Sequence, residues 1–329
     1  MSVDSVFHVN GNNLEDARKA YMLPNNRQEI ERMKNQHEWI KGSFGGLIKA
    51  PIDYEKKHQK VLDSATADGT WLSDVRTLFP PETELVGFDI ASELYPPSEL
   101  LPTNVSLLTG DLSKDLPAEW NQYFDLVHQR FVFPGFPSQT IKEFLGRLMG
   151  CVKPGGWIQL VEPCASENVS GPDPTAFAVL HQLANMCMQC PNSRDVILSK
   201  LKEGGFVNVN IQTCDIVIGK YQDNREMDVR GRKSMRDAVK NMSSIASAEK
   251  LGMPKADWDT LLDRFEADMA KYRTAVRHII IWAQRPRLSA STTGPFLRFC
   301  PWLATTTLLR LLLLLHVHVV LSLKILFLA

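Results

Sequence analysis

Short apolar runs alternate with amphipathic segments through most of the chain. The apolar runs predict strands at residues 61–63, 85–88, 105–108, 124–128, 157–162, 206–217 and 276–283. Apolar residues at helical spacing predict helices over residues 14–41 (broken at 23–26), 70–78, 141–149, 175–190, 193–203, 225–250 and 255–274. Because strands and helices take turns along the chain, we expect an α/β fold with a mostly parallel, doubly wound sheet and right-handed crossovers.

The same pattern predicts three regions along the chain. Residues 1–50 form an N-terminal helical segment with a disordered start. Residues 51–286 form the sheet domain, which carries a helical insertion near residues 222–272. Residues 287–329 are a linker and an apolar tail that lie outside this domain.

The tail is almost wholly apolar from Leu303 to Ala329, and its leucine-rich composition differs from the rest of the chain. Only 13 residues separate Arg310 from Lys324, whereas a membrane-spanning helix needs about 20 apolar residues. Three interpretations stay open. The tail is a membrane anchor whose charged ends snorkel, a shallow or packed helix, or an extension without an evolved role, such as a gene-model artefact. The composition favours the third.

Composition narrows the class of protein. Lys+Arg and Asp+Glu both number 37 in 329 residues, and a chain without excess positive charge does not suit nucleic-acid binding. The six cysteines are dispersed and no apolar signal segment opens the chain, so we expect reduced thiols and a cytoplasmic location. Cys187 and Cys190 form a lone CxxC pair without a second ligand pair, which predicts two thiols on a helix face and no metal site.

Acidic residues follow three successive predicted strands. Asp63, Asp89 and Asp111 each stand at a strand end, and the carboxyl ends of parallel strands meet at one edge of a sheet. The small-residue loop 64–69 follows the first strand and lets a ligand approach the backbone. This arrangement predicts a nucleoside pocket, in which the second acid accepts from ribose hydroxyls and the third from an adenine amino group.

Three alternatives compete with that pocket. The first of them is an ordinary strand–helix–strand unit without a ligand. A dinucleotide site needs more glycines than Gly69 alone. A P-loop needs a Gly-Lys-Ser/Thr ending, whereas Thr70 and Trp71 follow Gly69.

A set of motifs in a fixed order carries a family resemblance over residues 21–286. The motifs are Leu23-Pro24-Asn25-Asn26 with Glu29, Arg32, Gln36 and His37; Ala50-Pro51-Ile52; Val61-Leu62-Asp63 with Gly69 and Trp71; Val86-Gly87-Phe88-Asp89; Gly110-Asp111-Leu112; Phe124-Asp125-Leu126-Val127-His128-Gln129-Arg130; and Lys153-Pro154-Gly155-Gly156-Trp157. With them the chain resembles the class I S-adenosylmethionine-dependent methyltransferases, and most closely the LaeA-like branch of fungal secondary metabolism.

The resemblance implies a seven-stranded Rossmann-like methyltransferase sheet, with the N-terminal and inserted helices over its ligand edge. It implies S-adenosyl-L-methionine as cofactor, with Asp89 on the ribose, Asp111 by the adenine, and the loop 65–69 behind the methionine portion. The expected cofactor-binding residues are Asp63, Ala65, Ala67, Gly69, Asp89, Ile90, Asp111 and Leu112.

This chain departs from the family pattern in that loop. Ala65 and Ala67 stand where the family usually has glycine, and alanine disfavours positive φ and adds a methyl group that faces the ligand. Asp68 adds a negative charge beside the cofactor. Two interpretations stay open: a tolerated variant that still binds the cofactor, or a scaffold whose binding or turnover is weakened.

The expected activity is methylation of a small-molecule secondary metabolite on oxygen or nitrogen, with an apolar acceptor pocket under the added helices. Alignment carries most of the rate of methyl transfer. For an oxygen or amide nucleophile, which calls for a base, His128 at the end of the fourth strand is the candidate. A purely structural role for His128 is the competing interpretation. Arg130 is expected to be structural or to pair with a carboxylate, and Glu162 to border the acceptor pocket. The alternative function is a regulatory protein of this fold that acts through protein partners.

Overall fold

The computed structural model describes residues 27–167 and 176–287, and one mixed seven-stranded sheet organises them. The strands are β1 Lys60–Ser64, β2 Glu84–Asp89, β3 Val105–Thr109, β4 Phe124–Arg130, β5 Val152–Pro163, β6 Val207–Ile218 and β7 Thr274–Gln284. The segment 206–217, for which one or two strands were expected, forms the single strand β6.

The strand order across the sheet is β3-β2-β1-β4-β5-β7-β6. Strands β1 to β5 pair in parallel, and β7 runs antiparallel to both β5 and β6. The chain thus winds from β1 outward to β3, returns to β4 beside β1, and continues to the other edge. This confirms the predicted doubly wound, mostly parallel α/β fold, and the step from β1 to β4 creates a switch point at which ligands bind in such sheets.

The helices largely follow the sequence pattern. They are α1 Arg27–Phe44, α2 Thr70–Val75, α3 Ser138–Cys151, α4 Val179–Cys187, α5 Arg194–Glu203, α6 Arg225–Ile245, α7 Lys255–Asp259 and α8 Leu261–Lys271. Short 3-10 turns lie at Arg76–Leu78, Ser92–Leu94, Ser98–Leu100, Ala118–Trp120, Phe133–Gly135, Ala165–Glu167 and Gly219–Tyr221.

Two helix predictions differ from the structure. The helix expected over 255–274 is divided at Thr260, whose φ of −106° and ψ of 10° leave the helical range, and the chain is already extended at Thr274. The helix expected over 175–190 ends at Cys187, so Cys190 lies in the following loop and not on a helix face as expected. The five cysteines of the described residues are free thiols.

Alternate residues of the strands belong to different apolar clusters on the two faces of the sheet, as strand geometry requires. On one face, Leu62 lies in a cluster that includes residues of α3 and α5. On the other, Val61 lies in a cluster with Trp71 of α2, and α1 joins α6 in a cluster that covers β5, β6 and β7. Glycine at 87 permits the close approach of α2, because a Cβ there would lie 2.7 Å from Leu72.

The chain divides into two units, residues 1–287 and residues 288–329. Among the helices that the structure describes, none is long and apolar enough to cross a membrane. The predicted start at 1–12, the break at 23–26 and the tail interpretations fall outside the described residues.

Candidate active site

The carboxyl ends of β1, β2 and β4 bring the predicted site residues to one edge. Asp63 lies opposite Gly87 of β2 on one side and opposite His128 of β4 on the other. Asp89 ends β2, and Asp111 comes two residues after β3. The parallel pairing therefore assembles the edge that the strand-end acids predict.

The loop after β1 takes a glycine-type conformation although two of its residues are alanine. Ala65 has φ 52°, Ala67 has φ 53° and Gly69 has φ 77°. Left-handed backbone costs an L-residue about 1–2 kcal/mol. The loop is held by its own hydrogen bonds, since the Thr66 N–H donates to Phe88 O at 3.0 Å and the Gly69 N–H to Thr66 O at 3.0 Å. The alanines thus accept the conformation that the family's glycines would adopt, at a cost in stability.

The Asp89 carboxylate bridges two loops. It accepts from the Ala67 N–H through Oδ2 and from the Ala91 N–H through Oδ1, both at 2.9 Å. Burial raises the pKa of Asp89, and these N–H donors oppose that effect. Each carboxylate oxygen can accept a second hydrogen bond, so Asp89 retains capacity for a diol. Ile90 follows it and is half-buried.

Asp111 is buried and organises the loop after β3. Its Oδ1 accepts from the Ser113 N–H and its Oδ2 from the Ser113 hydroxyl, both at 2.8 Å. The next residue, Leu112, is buried in the same apolar cluster as Phe88. Asp111 therefore fixes its own loop and retains one lone pair on each oxygen for a further donor.

Asp63 and His128 form a buried pair at the centre of the edge. Asp63 Oδ1 lies 2.7 Å from His128 Nδ1, and the Thr66 hydroxyl donates to Asp63 Oδ2 at 2.7 Å. The Trp71 ring stacks on the imidazole with centroids 3.8 Å apart and planes 1° from parallel. Burial lowers the pKa of His128. A neutral imidazole that donates from Nδ1 to Asp63 presents a lone pair at Nε2, which is buried and without a partner among the described residues.

A chain of polar contacts that the sequence did not predict extends from β4 to α1. Arg130 Nη2 donates to His37 Nδ1 at 3.2 Å, and His37 Nε2 donates to Asp74 Oδ2 at 2.8 Å. Lys41 Nζ lies 2.7 Å from the same carboxylate oxygen. Burial lowers the pKa of His37. His37 and Arg130 both belong to the motifs of the family resemblance, which signal their importance but not their contact.

The atoms of His37, Glu38 and Asp74 lie close enough together to suggest a metal site. However, Asp74 Oδ2 already accepts from His37 and pairs with Lys41. A cation as close as the Lys41 ammonium would repel a metal ion at that oxygen. We therefore interpret this group as an ion-paired link between α1 and α2.

Glu162, expected to border the acceptor pocket, supports the loop after β4. Its Oε1 accepts from the N–H groups of Val132 and Phe133 at 3.2 and 3.3 Å. Its Oε2 is buried and has no partner in the described part of the chain. Burial raises the pKa of Glu162 to about 8, so this carboxyl group is largely protonated at neutral pH.

Two open clefts lie at the opposite edge of the sheet. One, of about 450 Å³, is lined by Lys56, Asp125 and Lys153, and the other, of about 410 Å³, lies beside Tyr54 and Phe79. Lys56 precedes β1, and Asp125 and Lys153 lie at the beginnings of β4 and β5. These clefts therefore lie at the amino ends of the strands, away from the strand-end acids. Ligands of such sheets bind at the carboxyl edge.

The site fits a nucleoside that carries an amino-acid chain. Asp89 offers acceptors suited to a ribose diol, and the loop 65–69 offers backbone at close range. Beyond the loop, His128 Nε2 and Arg130 Nη1 are buried polar atoms without partners among the described residues. Buried polar atoms are normally paired, so unpaired ones at this edge are consistent with a polar ligand.

Comparison with known proteins identifies the family. A methyltransferase domain family model matches residues 33–213. The N-methyltransferase verN of Clonostachys rogersoniana is 68% identical over 286 residues, covering 87% of this chain and 100% of that protein. The N-methyltransferase gliN of Aspergillus fumigatus is 29% identical over 283 residues, covering 83% of this chain and 99% of that protein.

A solved structure is also similar, although more distantly. Phosphoethanolamine N-methyltransferase 2 of Haemonchus contortus, in complex with S-adenosyl-L-methionine, has a TM-score of 0.43 and 14% identity, over 77% of this chain and 52% of that one. That likeness is too weak to carry the assignment, which rests on the family match and the relative that is 68% identical. The chain belongs to the methyltransferase domain family and is a methyltransferase.

Proposed function

We propose that this protein methylates a nitrogen atom of a small secondary metabolite. The observation that carries the proposal is the 68% identity to a protein named as an N-methyltransferase, over the full length of that protein. The buried Asp63–His128 pair adds the chemistry that a weakly basic nitrogen needs. The relatives favour an enzyme over the regulatory alternative. Placement in the LaeA-like branch rests on the motifs alone and stays a prediction.

The proposed roles follow the order of the strands. Asp89 accepts from the ribose hydroxyls, with Ile90 beside it, and Asp111 and Leu112 border the adenine. The loop of Ala65, Ala67 and Gly69 lies behind the methionine portion, and Asp63 acts through Thr66 and His128, with which its two oxygens pair.

His128 is proposed as the base. The cofactor supplies an electrophilic methyl group, so the protein's part is to align the acceptor nitrogen and to remove its proton. His128 Nε2 would take the proton that the acceptor nitrogen loses on methylation, while the electron pair of the broken methyl–sulfur bond would stay on the cofactor's sulfur. Asp63 holds Nδ1–H and stabilises the imidazolium, and Trp71 fixes the plane of the ring.

Calorimetric titration with S-adenosylhomocysteine tests the pocket. We expect saturable binding to the full-length protein and no detectable binding after Asp89→Ala, with Glu99→Ala on the surface as the control that leaves binding intact. Equal affinity of Asp89→Ala and the unchanged protein would mean that the pocket is placed wrongly.

Methyl transfer can be tested with three acceptor probes: a cyclic dipeptide, an aromatic amine and a phenol. With S-adenosylmethionine, we expect mass spectrometry to detect methylation of a nitrogen probe and none of the phenol. His128→Gln is expected to lower kcat by about 10²–10⁴-fold, while the affinity for S-adenosylhomocysteine stays within about threefold. Loss of a hydrogen bond worth about 1 kcal/mol or more would change the affinity by more than this. Since burial lowers the pKa of His128, the acid limb of the rate profile should lie below pH 6.5. An unchanged kcat would leave His128 with a structural role.

A further inference from the structure

A buried guanidinium nitrogen at the ligand edge has no hydrogen-bond partner among the described residues. Arg130 ends β4, next to the Asp63–His128 pair. Its Nη2 donates to His37, but its Nη1 is buried and makes no hydrogen bond with any described residue. A buried charged donor without an acceptor is costly, so this nitrogen calls for an explanation.

The protein fixes the orientation of this guanidinium. His37 Nδ1 can accept from Arg130 because its other nitrogen, Nε2, donates to Asp74. Asp74 is held in turn by Lys41. The imidazole tautomer and the guanidinium plane are thereby set from α1 and α2, and contacts within the protein hold Nη1 in place.

No described carboxylate neutralises Arg130 at contact distance. The ion pairs of the described residues do not include it, although Asp63 and Asp68 lie near enough to act on its charge. Asp63 is engaged by His128 and Thr66, and Asp68 accepts from the Thr70 N–H at 3.1 Å. A planar guanidinium donor in a buried position is well suited to bind a carboxylate.

We propose that Arg130 binds the carboxylate of the cofactor's methionine portion through Nη1. This inference rests on the proposed cofactor pocket and assigns its amino-acid end. The proximity of the guanidinium to Asp63 and Asp68 places it by the loop 65–69, behind which the methionine portion is expected.

The surrounding acids sharpen the test. S-adenosylhomocysteine and its decarboxylated analogue share the adenosine, the sulfur and the amine, and differ only in the carboxylate. The analogue carries one more net positive charge, which Asp63 and Asp68 attract. Without a local cation the pocket would therefore prefer the analogue, so a preference for the carboxylate requires Arg130.

Calorimetry with both ligands on the full-length protein is the experiment. We expect the unchanged protein to bind S-adenosylhomocysteine about 10–100-fold more tightly than the analogue, the range of one charge-assisted hydrogen bond. In Arg130→Gln this ratio should fall to about one or invert, and Arg130→Lys should retain part of it, because the charge stays and the fork is lost.

Arg147→Gln is the matched control, because Arg147 also has a buried Nη1 without a described partner but lies on α3 and not at the end of β4. Its ratio should be unchanged. A ratio near one in the unchanged protein, or a full ratio in a folded Arg130→Gln, overturns the proposal. If Arg130→Gln does not fold, the affinity ratios of the two ligands in the unchanged protein and in Arg130→Lys still test the proposal. Failure of both ligands to bind the unchanged protein would instead refute the cofactor pocket itself.

Discussion

Replacing Ala65 and Ala67 by glycine is expected to stabilise the protein. Both residues have φ near +50°, which costs alanine about 1–2 kcal/mol and glycine almost nothing. Glycine also makes the unfolded chain more flexible, which stabilises the unfolded state by about 0.4–1 kcal/mol per site and offsets part of this gain. It also removes a half-buried methyl group, a loss of about 0.4 kcal/mol. The net gain is about 0.5 kcal/mol per site, or about 1 kcal/mol for the double variant.

Urea unfolding of the double variant and of a matched control measures this gain. The control is Ala238→Gly in the middle of α6, where the same chemical change costs about 1 kcal/mol because the backbone is helical. At an unchanged denaturant slope, the midpoint should rise for the double variant and fall for the control. If the midpoint falls by a similar amount in both, the loop is not strained and the reasoning is wrong.

The double variant also separates the two interpretations of the loop. Since the alanine loop already holds the glycine-type conformation, S-adenosylhomocysteine should bind the variant within about threefold of the unchanged protein, less than 1 kcal/mol. A rise in affinity of tenfold or more would mean that the alanines weaken binding, as the second interpretation holds.

Two other predictions concern pH and the tail. The pKa of Glu162 is about 8 in the folded protein, against an ordinary 4.5, so its contribution to stability is present below pH 4.5 and is lost as pH rises through 8. In urea unfolding at pH 5, 6.5 and 8, the stability of Glu162→Gln relative to the unchanged protein should therefore rise with pH, by on the order of a few kcal/mol in total. A difference in stability that stays constant across these pH values would contradict this. Truncation after Arg287, at the boundary between the two units, should leave S-adenosylhomocysteine affinity unchanged in calorimetry. Membrane fractionation of the full-length and truncated proteins tests the anchor interpretation, which equal partitioning of the two proteins would remove.

The strands and their acidic ends could be predicted because they depend on local sequence. An apolar run such as Val61–Leu62 can be buried on both faces of a parallel sheet, and the polar residue that ends it must lie at the edge. The family resemblance then supplied the strand count and the cofactor. No residue pattern resolved the choice between oxygen and nitrogen, and the proposal of nitrogen rests on the name of the relative that is 68% identical.

The contacts within the site could not be predicted, because they join distant parts of the chain. His128 meets Asp63 across 65 residues, and Arg130 meets His37 across 93. The first contact requires β4 to lie beside β1, and the second requires α1 to return over the same edge. Glu162 shows the same limit, since its depth and its partners in the loop after β4 decide its charge. Neither the depth of Glu162 nor its hydrogen-bond partners can be read from the sequence around it.

The departure of the first loop from the family pattern can now be interpreted through its neighbours. The sequence left open whether the negative charge of Asp68 weakens cofactor binding; its carboxylate accepts from the Thr70 N–H and lies near Arg130. A cofactor with a sulfonium, an ammonium and a carboxylate carries a net positive charge, which a pocket with Asp63, Asp68 and one arginine complements. In the proposed pocket the added acid would therefore complement the net charge of the cofactor, while Nη1 of Arg130 would bind its carboxylate. The variant loop and this guanidinium nitrogen would then form one arrangement, which Arg130→Gln tests.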